Sequence, residues 1–144
     1  MKLANTSGIT IRINGKNTKI EYTEGNTHVL GLWERPFNAI KNRQKSIEVR
    51  TNTAQIPFNF NLVKVGDAIN FVNEQTGEIL FTKVNNVSKY GSAREYLEEV
   101  GFSNLSSKPT TMKEAISAIE CHTGYKEGIK KHGLFAFGIS LINE

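Results

Sequence analysis

Arg43-Gln44-Lys45-Ser46-Ile47-Glu48-Val49-Arg50 is the stretch on which the reading of this chain turns. In an extended strand side chains alternate between faces, so Ile47 and Val49 point one way and Ser46, Glu48 and Arg50 the other. One face is apolar and suited to a core; the other carries a carboxylate and a guanidinium. Lys45 precedes the regular part of the strand, and its flexible stem can bring the ammonium to the charged side. Taken alone, Glu48 and Arg50 read as a solvated pair on a half-exposed strand, worth little to stability. Taken with Lys45, they could all touch one ligand that carries a phosphate and a polar base.

Upstream, His28-Val29-Leu30-Gly31-Leu32 reads as a buried strand. Pro36 suits a first helical position, and Trp33, Phe37 and Ile40 are spaced to share one helical face, with Trp33 expected as a core anchor. Asn42 to Gln44 breaks that helix and delivers the chain into the charged strand. Nearer the N-terminus, Ile9-Thr10-Ile11-Arg12-Ile13 alternates, Asn14-Gly15 is a type I′ turn signal, and Thr18 to Tyr22 can return antiparallel. The polar run Thr23 to Thr27 then separates this hairpin from the strand that begins at His28.

Downstream, a polar connection leads through Pro57 to Phe58 and Phe60. An aromatic pair near a basic cleft could stack on bases, but covering the end of a barrel is the preferred reading. Val65-Gly66-Asp67 supplies a turn into a strand from Ala68 to Asn73, and Glu74-Gln75-Thr76-Gly77 turns it back into a second from Glu78 to about Val87. Ser92-Ala93-Arg94-Glu95 and Thr111-Met112-Lys113-Glu114 have capping-box spacing ahead of apolar stripes, with Gly101 and Gly124 placed as stops. Leu134 to Ile142 is nearly continuous in apolar residues, a strand buried on both sides and suited to closing a barrel.

The sequence has 144 residues, enough for one domain with a sizeable core, and its 38% hydrophobic and 22% charged content is ordinary for a globular protein. A single cysteine, Cys121, excludes an internal disulfide. The absence of a signal-peptide pattern and of a membrane-length apolar run leads us to expect a cytoplasmic protein with no membrane partner. His28, His122 and His132 lack metal-ligand spacing with Cys121, so neither a metal nor a cofactor is expected. Cys121 and His122, read as neighbours on a helix, diverge around its axis and do not suit a nucleophilic pair. A net charge of +4, from 18 basic and 14 acidic residues, permits an anionic partner without requiring one. Two basic groups, Lys41, Arg43, Lys45 and Arg50, and then Lys126, Lys130, Lys131 and His132, would strengthen the local field if they faced one groove.

The charged strand resembles the Gly-x-Lys-x-x-Glu-x-Arg motif of the ASCH domain family, in the PUA-like superfamily of small β-barrels. Lys45, Glu48 and Arg50 match its Lys, Glu and Arg, while Arg43 occupies its Gly position. The Gly66-Asp67 turn leading into a strand is similar as well. The resemblance extends by order of elements from about residue 28 to 142. It implies a mixed α+β fold, a small PUA-like β-barrel with flanking helices, over residues 28–144, with residues 1–27 as an N-terminal hairpin extension. It also implies a cleft beside the motif strand that binds RNA, a nucleotide or a nucleoside, with Arg43, Lys45, Glu48 and Arg50 as ligand-binding candidates.

Some relatives look like enzymes, including small amidohydrolases that deacetylate acetylcytidine. Their motif lysine is matched by Lys45, but their nucleophilic threonine falls where this chain has Glu48, which argues against the same deacetylation route. A hydrolase, amidohydrolase or ribonuclease-like, acting on a modified nucleoside or RNA is therefore the alternative, with Lys45 and Glu48 as the catalytic candidates. A protein-interaction domain using the hairpin as an edge for strand addition is a third possibility. Binding leads, because the sequence contains no residue that must be a nucleophile. Heads of Lys45 and Arg50 exposed in a cleft would be removable at little cost in stability.

Overall fold

The computed structural model describes residues 6–23, 27–56 and 58–142. The alternating N-terminal segments form β1 (Thr6–Ile13) and β2 (Lys16–Thr23), paired antiparallel in a sheet of their own. Asn14 and Gly15 take positive φ values of 48° and 77° at the turn between them, the requirement behind the Asn-Gly signal. The hairpin rests on the main sheet through a small cluster in which Ile11 meets Val29 and Val72, with Ile13, Ile20 and Ile79 alongside. Glu24, Gly25 and Asn26 of the expected polar break, and Pro57, lie outside the described residues.

The main sheet contains β3 (Thr27–Leu32), β4 (Ile47–Arg50), β5 (Ala68–Asn73), β6 (Ile79–Tyr90) and β7 (Leu134–Leu141), in the spatial order β3-β5-β6-β7-β4. Only β3 and β5 run parallel; the other neighbours are antiparallel. The sheet curls into a half-barrel, so the fold is mixed α+β with flanking helices. A bulge in β6 between Val84 and Asn86, opposite Gly138, adds to the bending. β7 is buried on both sides, as its composition requires, but it sits inside the sheet between β6 and β4 and does not close a barrel. Its Phe135, Phe137 and Ile139 fill the concave core with Phe37, Phe60, Ile69 and Phe71. Leu134 and Ala136 face the other way, into a second core against the helices.

Phe60 is fully part of the concave core and Phe58 packs against it, so this pair is structural. Leu80 is partly buried at the same core. Helix α1 (Glu34–Lys41) connects the two edge strands β3 and β4 and buries Phe37, Ala39 and Ile40. It begins two residues before Pro36, so the proline is third in the helix, where its missing N–H still costs no helical bond. Trp33 is the residue before the helix and 67% exposed, not the core anchor its spacing suggested. An i, i+4, i+7 spacing assumes the helix already runs at the first residue, and here the chain is still extended at Trp33.

Helices α2 (Ala93–Val100) and α3 (Met112–Glu120) begin as their capping boxes specify, with Ser92 and Thr111 hydroxyls accepting from the Glu95 and Glu114 amides, each at 3.1 Å. Gly124 does not end α3. That helix stops with Cys121 as its cap, and Gly124, at φ 79°, precedes a further helix, α4 (Tyr125–His132). The polar composition of α4 and the glycine in its middle concealed it, since only Tyr125, Gly128 and Ile129 are buried.

Candidate functional site

The alternation read in β4 is present, but both of its faces are covered. Ile47 and Val49 pack against the helical core. Glu48 and Arg50 pair in register with Phe137 and Phe135, which places them on the concave side of the sheet. Lys45 and Glu48 are only 7% and 6% exposed, so this is not the solvated surface pair expected of the pattern alone. The Lys45 and Arg50 heads are not exposed in a cleft, so the condition for a small stability change on removing them is not met.

The three side chains form one line of contacts. Lys45 Nζ lies 3.3 Å from Glu48 Oε1, and Arg50 Nε donates to Glu48 Oε2 at 2.7 Å. Arg50 Nη2 then donates to the Gly31 carbonyl at 3.0 Å. Gly31 is on β3 and Arg50 on β4, the two edges of the sheet, so a guanidinium joins edges that no backbone ladder connects. Burial pushes the Glu48 carboxyl up, but the neighbouring Arg50 and Lys45 charges outweigh it and hold the group below its ordinary value. Burial likewise disfavours charged Arg50, and Glu48 more than restores it.

The loop before α3 fixes the start of the strand. Asn104 Oδ1 accepts from the Ser46 and Ile47 amides at 2.8 and 3.1 Å, and its backbone carbonyl accepts from Lys45 Nζ at 3.0 Å. Arg43 is exposed in the turn after α1 with φ of 62°. That is a left-handed conformation suited to glycine, which gives a backbone reason for the Gly of the motif. Of the other cations in the first basic group, Lys41 is paired with Glu78 at 2.6 Å. Lys130, Lys131 and His132 occupy the last turn of α4.

Three residues that sequence reasoning did not place in the site, His122, Tyr125 and Glu74, interact with the charge of Arg50, and Trp33 joins them through His122. The Trp33 indole meets the His122 ring edge-on, with centroids 5.8 Å apart, and His122 meets Tyr125 at 5.1 Å. Burial lowers the His122 pKa and raises that of Tyr125, and both rings feel the charges of Arg50 and Glu48. Burial also raises the Glu74 carboxyl, opposed by Arg50. The signal available for Trp33 was its place directly after β3; Glu74 and His122 come from turns with no motif, and Tyr125 opens the helix that the sequence did not reveal. Trp33 and His122 make an exposed aromatic edge against the buried Tyr125, near the ion network. Among the described residues no group of three or more His, Cys, Asp or Glu could hold a metal ion, and no helix is long and apolar enough to cross a membrane.

A curled five-stranded sheet with flanking helices defines a small barrel-like α+β domain. The chain belongs to the ASCH domain family, whose model matches residues 30–143. The crystal structure of hypothetical protein PH0355 is 28% identical and covers 81% of this chain and 99% of its own, with a TM-score of 0.67. The solution structure of protein PF0455 from Pyrococcus furiosus is 29% identical, covering 82% and 99%, with a TM-score of 0.63. The ASCH protein of Zymomonas mobilis, at 14% identity, covers 82% of this chain and 73% of its own with a TM-score of 0.52, a likeness of fold alone. Comparison with curated proteins gave no match.

Proposed function

We propose that this domain binds single-stranded RNA or a nucleotide, taking a base at the edge formed by Trp33 and His122, near the Glu48–Arg50 pair. The observation that carries the reading is Trp33, a large aromatic left 67% exposed against His122, whose own ring feels the charge of the buried Arg50. Isolated exposed apolar residues are common. This one is held against a second ring, next to hydrogen-bonding groups suited to a base edge, and that combination favours a stacking platform. Membership of the ASCH family, generally thought to bind RNA, supports the same conclusion.

Glu48 serves binding better than proton transfer. A general base works best with a pKa near the working pH, whereas Glu48 is held low and already engaged by two cations. Its part is to hold Arg50 in place, and Arg50 presents the remaining guanidinium hydrogens to the ligand. Trp33 is the only tryptophan in the sequence, so its fluorescence reports on the site directly. Short single-stranded RNAs and mononucleotides should change that emission saturably, and more weakly at high salt. Trp33→Ala should lower RNA affinity, measured by anisotropy, by about 1–3 kcal/mol per stacked base, with an unchanged melting temperature. Equal RNA affinity in the wild type and the Trp33→Ala variant would remove the stacking reading.

A further inference from the structure

Lys45, but not Glu48, lines a pocket of about 310 Å³ between α1 and the loop before α3. That volume is at the small end of the roughly 300–1,000 Å³ usual for ligand pockets. Its walls contain three cations, Arg35, Lys45 and Lys108, and no aspartate or glutamate. Arg35 and Lys108 are exposed and enter no ion pair among the described residues. Amide side chains from Asn38, Asn42 and Gln44 add neutral donors. The C-terminal end of α1, whose carbonyls would repel an anion, is covered: Asn42, Arg43, Gln44 and Lys45 all donate their amides to its last carbonyls.

Lys45 ties this pocket to the candidate site. The residue lines the pocket, while its ammonium spends two of three hydrogens on the Asn104 carbonyl and Glu48. The line from pocket to Lys45, Glu48, Arg50 and the Gly31 carbonyl is thus continuous.

We infer that the pocket is a phosphate subsite, holding a backbone phosphate of the RNA strand whose base lies against Trp33. The inference rests on the RNA-binding reading above and narrows it: the ligand is a phosphorylated strand and not a bare nucleoside. Arginine supplies paired donors to phosphate oxygens and lysine a point charge. The amides supply further hydrogen bonds without adding charge.

The test uses the full chain, ¹⁵N-labelled, titrated at low salt with inorganic pyrophosphate and separately with a single-stranded RNA. A double variant, Arg35→Glu with Lys108→Glu, changes two exposed side chains and should melt like the wild type. Pyrophosphate should shift amides of residues 35–45 and 103–108 in the wild type, and at least about tenfold more of it should be needed in the variant. RNA affinity should fall by about tenfold or more in the variant, with a shallower dependence on salt. RNA binding that is equal in both proteins, or pyrophosphate shifts confined to residues 125–132, would overturn the subsite and leave the Trp33 reading standing. Pyrophosphate shifts in the pocket without any RNA binding would support an anion site for a free phosphate compound and overturn the RNA-binding reading instead.

Discussion

Glu48 sits between two cations in a place that water barely reaches, and the consequences are specific to the residue. Glu48→Gln keeps the shape but leaves Lys45 and Arg50 without their counter-charge, and breaking a buried pair in this way costs about 3–5 kcal/mol. Urea unfolding at pH 7 measures it. The carboxyl is depressed from its ordinary value of 4.5, so the unfolded chain binds this proton first as pH falls. The stability it supplies is complete above about pH 4.5 and is lost as acid drives the pH down through the lower folded value. Unfolding midpoints between pH 3 and 7 should therefore fall less steeply in Glu48→Gln than in wild type; parallel profiles would mean Glu48 is not depressed. At Arg43 the backbone decides. A non-glycine residue in the left-handed region costs about 1–2 kcal/mol, so Arg43→Gly should be more stable than Arg43→Ala by about 1 kcal/mol in the same assay.

At the scale of elements, the strand that carries the charges is four residues long and is held in place by another segment. Asn104 supplies acceptors to the Ser46 amide just before it, to its first amide, Ile47, and to Lys45, and nothing in the spacing of the sequence indicates a partner 57 to 59 residues away. Asn104→Ala should cost about 1–3 kcal/mol for the donors left unsatisfied, seen as a lower urea midpoint, and should weaken RNA binding through Lys45. Helix α4 gives the opposite lesson about propensity. Gly128→Ala would improve an isolated helix by about 1 kcal/mol, yet a Cβ at Gly128 would overlap the Asn52 carbonyl and press on Thr51. The variant should melt lower than wild type. The starts of α2 and α3 were legible because a capping box is a local device; α4 was not, because its helical form depends on packing Tyr125 and Ile129 into the second core.

Over the whole molecule, the N-terminal hairpin forms a separate sheet, and the family match begins after it, at residue 30. We expect removal of residues 1–24 to leave a cooperatively melting domain. The Ile11 side chain covers Val29 and Val72, and burying one such residue contributes about 1.5–3 kcal/mol. The truncated chain should therefore unfold at lower temperature with its transition intact. Loss of a cooperative transition in calorimetry would make the hairpin part of the fold it rests on.

What neighbours along the chain set was legible in the sequence: the alternation of β4, the continuous apolar run of β7, the Asn14-Gly15 turn and two helix starts. The sequence assigned Glu48 and Arg50 to the face opposite Ile47 and Val49. It could not say that this face would be buried, because a period of two separates faces without telling which meets solvent. Only the tertiary structure decided that. The curl of the sheet brings β3 to β4 so that Arg50 reaches the Gly31 carbonyl 19 residues back, and the same approach leaves Trp33 outside, against His122. Contacts between distant segments bring Trp33 against His122 and set the pocket lined by Lys45 between α1 and the loop before α3, and no local pattern encodes such contacts.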